Sequence, residues 1–503
     1  MPLTSWKDPF LMKPSPWTSL SAPHGQIEVP TGLFIGGEWR VASNNNTFEV
    51  QNPADETVIA AVADASPEDA LEALSVATSV QKEWGATTTR HRSNILRRAY
   101  DLLIERKEDI AWVMSSEMGK PLAEARGEVQ VSADYIQWYS EQVPQQRGGY
   151  SDAPNGGYKI ITTHQPVGPS YLVTPWNFPL SMGARKAGAA LAAGCTVLIK
   201  PAALTPLSTH MFVQLLHEAG VPEGALHLIT TSSASRQSKA LMSRPTLRKI
   251  SFTGSTAVGT TLLKQAADHV MASSMELGGN GPFVVLSDAD PVEAASGAVV
   301  AKFRNAGQVC VAANRIIVEK SVAPAFREAF LAKVAQLKIG PGTEEGVDIG
   351  PLVDENQRNN VRKLLEDAIG QGAVVLAGGE TAPGAGYFLP PTVVANASLD
   401  SAIATNEIFG PIASIYEAES DDQAIEIANG TPFGLVSYLY TRDINKAIQA
   451  AERLESGMVG INRPVVADPA APFGGIKASG LGKEGGHSGI EEYQIEKYIA
   501  LTV

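Results

Sequence analysis

Between Tyr171 and Phe252 short apolar runs alternate with longer stretches of helical period. Tyr171-Leu172-Val173 and the runs 196–200, 226–229 and 249–252 read as strands. An Ala/Gly-rich helix that stops at Gly194 joins the first two. A helix from about Pro206 to Gly220 joins the next, and a short helix precedes the last. Strands joined by helical crossovers must lie parallel, so this rhythm dictates a doubly wound sheet covered on both faces. A second α/β region starts at Pro282, with strands near Ile316-Ile317-Val318, Val374-Val375-Leu376 and Val459-Gly460-Ile461. Upstream, Ser66-Pro67-Glu68-Asp69 opens a helix with a serine N-cap and a proline in the first turn. A second, amphipathic helix runs from about Arg92 to Glu105, with Ile95, Leu96, Ala99, Leu102 and Leu103 on its apolar face. The closing segment 498–503 reads as an apolar strand, which needs a partner; a neighbouring subunit is one source.

At 503 residues the chain is long enough for two or three domains. A formal net charge of −13 argues against a nucleic-acid or anionic-membrane partner. Only two cysteines occur, Cys195 and Cys310, so a disulfide framework is excluded and a reducing, cytoplasmic setting is expected. The first 30 residues, rich in proline, carry neither a secretory core nor a basic amphipathic start, and read as an extended arm. No apolar run is long enough to span a bilayer. None of the histidines falls in a candidate motif, and with so few cysteines no metal site is expected.

In open parallel sheets ligands bind beyond the carboxyl ends of the strands. Three segments fall there. Pro175-Trp176-Asn177-Phe178-Pro179 follows the first strand, Lys200-Pro201-Ala202-Ala203 the second, and Gly254-Ser255-Thr256-Ala257-Val258-Gly259 the fourth. Glycine lets backbone approach a phosphate, and free N–H groups at a helix start favour anions. Each segment alone is an ordinary turn. Three on one edge, with a cation at Lys200, point to a nucleotide cofactor.

Six motifs then resemble the aldehyde dehydrogenase superfamily, from about Leu33 to the end. They are Pro175-Trp176-Asn177-Phe178-Pro179, Phe252-Thr253-Gly254-Ser255-Thr256, Glu276-Leu277-Gly278-Gly279, Gly307-Gln308-Val309-Cys310, Glu407-Ile408-Phe409-Gly410-Pro411 and Pro472-Phe473-Gly474-Gly475. The resemblance implies an α/β fold with a Rossmann-type cofactor domain over 31–144 and 166–281. It also implies a catalytic domain over 282–478. A small β element over 145–165 and 479–503 would serve oligomerisation, as a homodimer or homotetramer, with 1–30 as an N-terminal arm. It makes Cys310 the nucleophile, Glu276 the general base and Asn177 the oxyanion donor. Pro175, Trp176, Gly254 and Ser255 would border the pyrophosphate, and Lys200 the adenosine ribose. Glu407 would hold the nicotinamide ribose, with Phe409 beside the ring.

The chemistry explains the choice of groups. An sp2 aldehyde carbon is a poor hydride donor. Thiolate addition makes a tetrahedral thiohemiacetal that expels hydride and leaves a thioester for water to hydrolyse. The alkoxide needs fixed donors, and Asn177 with the Cys310 N–H would supply them. Glu276 would take the proton of the hydrolytic water. A lone cysteine is more often a small buried hydrophobe; Cys195, at a strand start, fits that description. Cys310 differs in its polar Asn305-Ala306-Gly307-Gln308 setting, and Glu276 reads as lying on a turn rather than on a charged helix face.

NAD-preferring members often carry a glutamate three positions after the lysine, and this chain has Ala203 there. The next strand leads into Thr230-Thr231-Ser232-Ser233-Ala234-Ser235-Arg236, which is hydroxyl-rich and basic. NADP is therefore expected, with NAD as a second accepted form, and Lys200 with Ser233 or Arg236 at the 2′-phosphate. Within the superfamily the segments 185–195, 302–305 and 477–485 are most similar to succinate-semialdehyde dehydrogenases. There two arginines grip the distal carboxylate of a small-molecule aldehyde, and Arg185 and Arg304 match them. The loop that usually adds a serine has Ala467 with Asp468 beside it. Ala312 stands where many relatives place a second cysteine. Rival readings are a CoA-acylating enzyme, disfavoured by Glu276; a broad aliphatic or aromatic aldehyde dehydrogenase; and a non-catalytic, crystallin-like protein.

Overall fold

A computed structural model describes residues 15–380 and 384–502. Residues 1–14 of the expected arm and Val503 of the expected final strand lie outside the described residues. The first of two large sheets has eight strands. In spatial order they are Gly480–Leu481, Ala272–Glu276, Lys249–Thr253, Ser170–Val173, Val197–Lys200, Leu226–Leu228, Leu33–Ile35 and Glu38–Arg40. The five from Ala272–Glu276 to Leu226–Leu228 are parallel. The chain lays down Ser170–Val173, moves outward twice, then returns to the other side of its starting strand. The order therefore reverses between Ser170–Val173 and Lys249–Thr253. Crossovers leave that point toward opposite faces and open a crevice beyond the strand ends.

Helix Ser181–Ala193 leaves the first of these strands, and all of its residues are buried. Its alanines and glycines let it fit between sheet and neighbouring helices, and Gly194, at φ 91°, ends it in the left-handed conformation. Its start is closed from another helix. Glu128 accepts the N–H groups of Leu180 and Ser181 at 3.0 and 3.1 Å. Glu117 does the same for helix Leu207–Glu218, accepting from Leu207 at 2.7 Å and Ser208 at 2.8 Å. A buried carboxylate satisfies orphan donors and opposes the positive end of the helix dipole. Helix Pro67–Ala86 begins as expected, with Ser66 and Asp69 in a reciprocal capping box.

The second sheet has seven strands, in the order Val374–Ala377, Thr392–Ala395, Ile412–Ala418, Ala313–Glu319, Gly281–Val285, Val436–Tyr440 and Met458–Ile461. All are parallel except Val374–Ala377 at one edge. Phe283, Ile316, Ile317, Phe326, Phe330 and Val394 lie in its core. Only Leu277-Gly278-Gly279-Asn280 separates the last central strand of the first sheet from Gly281, where the second begins. Glu276 ends strand Ala272–Glu276, not a turn; its place at the carboxyl end of the strand aims it into the crevice region.

One further expectation is corrected. Residues 17–30 are not an extended arm. Trp17–Ala22 and Gly25–Pro30 form an antiparallel hairpin whose Leu20, Ile27 and Val29 join the core of the cofactor-side half. The alternation of apolar and polar residues in Gly25–Pro30 is the signal that the prolines masked. The C-terminal strand Gln494–Leu501 pairs antiparallel with Lys159–Pro166, which in turn pairs with Gly149–Asp152, so the segments 145–165 and 479–503 meet in one small sheet. Among the described residues no helix is long and apolar enough to cross a membrane.

If the hairpin is part of the core, Ile27→Ala creates a cavity and destabilises by about 2–4 kcal/mol, seen as a lowered Tm by calorimetry. A free arm would show no change.

Candidate active site

Cys310 lies between two cavities. The first, of about 310 Å³, occupies the crevice and is lined by Pro175, Trp176, Thr253, Gly254, Ser255, Glu276, Glu407, Phe409 and Cys310. The second, of about 240 Å³, is lined by Glu124, Glu128, Tyr135, Arg185, Arg304, Ala467, Phe473 and again Cys310. Asn177 borders the first cavity only.

Backbone geometry brings the thiol there. Arg304 is followed by three left-handed residues, Asn305 (φ 52°), Ala306 (φ 53°) and Gly307 (φ 73°). For Ala306 that conformation costs about 1–2 kcal/mol, so surrounding contacts must hold it. The turn reverses the chain and delivers Cys310 ahead of strand Ala313–Glu319. A Cβ on Gly279 would meet the Cys310 carbonyl at 2.7 Å, so glycine here lets the crossing between sheets press against the Cys310 backbone.

Asn177 is clamped. Its side-chain N–H donates to the Gln308 carbonyl at 2.9 Å, which leaves one amide hydrogen free. Its own carbonyl accepts from Lys120 at 2.8 Å and from the Asn305 amide at 3.0 Å. Lys120 is itself paired with Glu128 in a fully buried ion pair.

Burial governs the charges. It pushes the Cys310 thiol up to about 12, helped by Glu407 and Glu276 and opposed by Arg185 and Arg304. Burial also raises Glu276 well above the usual carboxyl range, and the nearby Glu484 adds to this by repulsion. One Glu276 oxygen has no hydrogen-bond partner. Glu484 is disfavoured by burial too, yet Lys186 at 2.5 Å and Arg185 at 3.1 Å hold it below the ordinary range and ionised. Glu407 is raised by burial to about 7 and accepts the Gly279 N–H at 3.1 Å.

The crevice suits a nicotinamide nucleotide. Thr174 and Thr253, at the ends of the two strands flanking the reversal, each have a buried hydroxyl without a partner. Ser255 caps helix Thr256–Ala267, whose free N–H groups open at the same edge. Phe409, held at φ 51°, stands edge-on to Trp176 at 5.2 Å. Lys200, Ala203 and Ser233 do not line this cavity. Lys200 is buried, its ammonium donates to the Pro201 carbonyl at 3.0 Å, and burial lowers it to about 8. Ser233 accepts from Arg236 at 3.0 Å. A carboxylate invisible to local reading, Asp64, reaches this loop and is engaged by Thr231, the Ser232 N–H and the Ser232 hydroxyl at 3.0, 2.9 and 2.5 Å.

Sequence reading assigned no role to Glu124, Glu128 or Tyr135, and held Phe473 and Glu484 only inside longer motifs. Glu124, Glu128, Val131 and Tyr135 recur at helical spacing on Leu122–Gln142 and line the second cavity as a stripe. That spacing was the available signal, but mixed acids and apolar residues at such positions look like any half-exposed helix.

Residues 39–499 match the aldehyde dehydrogenase family as a whole. The chain belongs to this family. A succinate-semialdehyde dehydrogenase of Paenarthrobacter nicotinovorans is 48% identical over 445 residues, covering 88% of this chain and 99% of the relative. A glutarate-semialdehyde dehydrogenase of Pseudomonas putida KT2440 is 44% identical, covering 93% of this chain and 97% of the relative. The crystal structure of an E. coli NADP dependent enzyme aligns with a TM-score of 0.93 at 40% identity, over 94% of this chain and 98% of that one.

With the Cys310 thiol displaced so far upward, only a small fraction is thiolate near neutral pH. Alkylation of the cofactor-free protein by iodoacetamide is therefore expected to accelerate continuously from pH 7 to 10, with Cys310→Ala as the background. A plateau below pH 9 would contradict this.

Proposed function

We propose that this aldehyde dehydrogenase oxidises succinate semialdehyde, or a similar short aldehyde with a distal carboxylate, to the acid, with NADP as the preferred oxidant and NAD as a second. The observation that carries the reading is Cys310 between a strand-end crevice and a cavity bearing two guanidinium groups. Relatives named for succinate and glutarate semialdehydes support the substrate class, and the NADP dependent structural neighbour supports the cofactor.

The Cys310 thiol gives its proton to Glu276, which passes it to solvent, as the sulfur adds to the aldehyde carbon. The free amide hydrogen of Asn177 and the Cys310 N–H receive the developing alkoxide; losing one such donor typically costs about a hundredfold or more in rate. Trp176, Gly254, Ser255, Glu407 and Phe409 would hold NADP, which would supply the hydride acceptor when bound. Glu276, poised near Cys310 and raised in basicity by burial, takes the proton of the water that opens the thioester. Lys200, Ala203 and Ser233 lie at the adjacent strand ends, and the alanine at 203 offers no carboxylate to repel a 2′-phosphate there.

Arg185 and Arg304 hold the substrate's far carboxylate. One terminal nitrogen of Arg185 is buried without a hydrogen-bond partner, which is costly unless a ligand completes it. Ala467 lies in the wall of the same cavity. The protein works in the cytoplasm as a homo-oligomer. Its two cysteines are free, and the outer strand Gln494–Leu501 leaves Ile495, Tyr498 and Leu501 exposed.

An aldehyde panel with both cofactors tests this. Cys310→Ala abolishes turnover. Arg304→Gln and Arg185→Gln raise KM for succinate semialdehyde about 10- to 100-fold, the range for a lost charged hydrogen bond, with a much smaller effect on propanal. Equal losses on both aldehydes defeat the carboxylate grip. A strong preference for NAD defeats the cofactor assignment, and no turnover of any aldehyde defeats the enzyme.

A further inference from the structure

The second cavity contains one carboxylate that this chemistry leaves unused. Glu124 and Glu128 sit one turn apart on helix Leu122–Gln142 and both face it. Glu128 is fully committed, to Lys120 and to the N–H groups of Leu180 and Ser181. Among the described residues Glu124 has a single hydrogen bond, from the Asn305 N–H at 2.8 Å. Arg304, the residue before Asn305, lines the same cavity and lies over the Phe178 ring at 5.8 Å. Among the described residues its guanidinium has no hydrogen bond and no ion pair. The other arginine, Arg185, already shares Glu484 at 3.1 Å. The cavity thus holds one uncommitted cation and one uncommitted carboxylate.

We propose that Glu124 is a specificity-determining residue, an internal carboxylate that competes with the substrate's distal carboxylate for Arg304, so that the anion binds with uptake of a proton on Glu124. This rests on the reading of the cavity as a carboxylate subsite. The walls include Val131, Phe178, Val311 and Phe473, so charges there are weakly screened. Two carboxylates beside one guanidinium repel, and protonating Glu124 removes the repulsion. The proton is available near neutrality. Burial raises Glu124 to about 7, against the pull of Arg304 and Lys120 and with a small push from Asp348; Arg185 and Glu128 complete the charged groups around the cavity. An arriving anion raises Glu124 further. Anion affinity is therefore full where Glu124 is neutral, below about pH 7, and declines as pH rises through that value.

The probe is butyrate, an unreactive monoanion with the carbon count of succinate semialdehyde, titrated calorimetrically into the full-length protein from pH 6 to 8.5. The expected result is an affinity that weakens about tenfold over this range, the slope of one linked proton. Glu124→Gln keeps an oxygen for the Asn305 N–H and is expected to remove the slope. At pH 8.5 it binds butyrate about five- to twentyfold more tightly, and the ratio of kcat/KM for succinate semialdehyde to that for propanal rises by a similar factor. Glu124→Ala is the second variant and must also lose the slope. A purely structural role would move both aldehydes alike and leave the pH profile in place. A flat wild-type profile, or a slope that survives both variants, overturns the proposal. If Arg304→Gln lowers the aldehyde ratio while the wild-type profile is flat, the Glu124 inference alone fails. If the wild type binds no butyrate at any pH and Arg304→Gln leaves the ratio unchanged, the carboxylate subsite itself fails and takes this inference with it.

Discussion

The contact between Gly279 and the backbone of Cys310 is the constraint on which the site depends. Two sheets are joined by four residues, and the last of the first sheet's central strands ends in Glu276. A side chain at 279 would collide with the Cys310 carbonyl at 2.7 Å. With glycine there, the base candidate and the thiol are set by one backbone contact rather than by two independent loops. The left-handed Asn305-Ala306-Gly307 turn completes the arrangement from the other side, and it too relies on glycine: a Cβ at Gly307 would meet the Gly410 carbonyl at 2.2 Å. Gly410 directly follows Phe409, so the turn before Cys310 also braces the segment that carries Glu407 and Phe409 toward the crevice.

Around this frame the interior sorts its charges by a single rule. A buried ionisable group either finds a partner or gives up its charge. Lys186, Arg185 and Glu484 keep theirs by pairing. Lys120 and Glu128 do the same, and in doing so fix both the Asn177 carbonyl and the start of helix Ser181–Ala193. Cys310, Glu276, Glu407 and Glu124 lack such partners and are pushed toward neutrality. The resting thiol therefore keeps its proton, Glu276 is biased toward its neutral form, and Glu407 and Glu124 exchange theirs near neutrality. The pocket's ionisation depends on the charges that ligands bring, so binding and proton movement are coupled at this site.

Much of this was legible in the chain. The alternating strands and helices from Tyr171 to Phe252 specify a parallel sheet, and three strand-end segments specify a crevice. Both follow from period and turn chemistry, which are local properties. Pro175, Trp176, Gly254, Ser255, Glu407 and Phe409 do meet in one cavity. Reading failed where local signals compete. Prolines in 1–30 hid the hairpin Trp17–Ala22 and Gly25–Pro30, whose stability comes from burying Ile27 and Val29 against distant helices. Glu276 looked like a turn residue because glycines follow it, although the strand runs through it. Lys200 occupies the expected strand end, yet its ammonium turns to Pro201 rather than into the cavity.

By itself, then, the sequence determined the fold class, the crevice and the family, because each rests on residue type and spacing along the chain. Only the tertiary structure decided which charges stand alone. Whether Glu124 is free and Glu128 spent, or Asp64 satisfied by Thr231 and Ser232, depends on partners tens to hundreds of residues away. Such pairings follow from how helices and sheets stack, and burial then converts them into protonation states through desolvation, which no local pattern encodes.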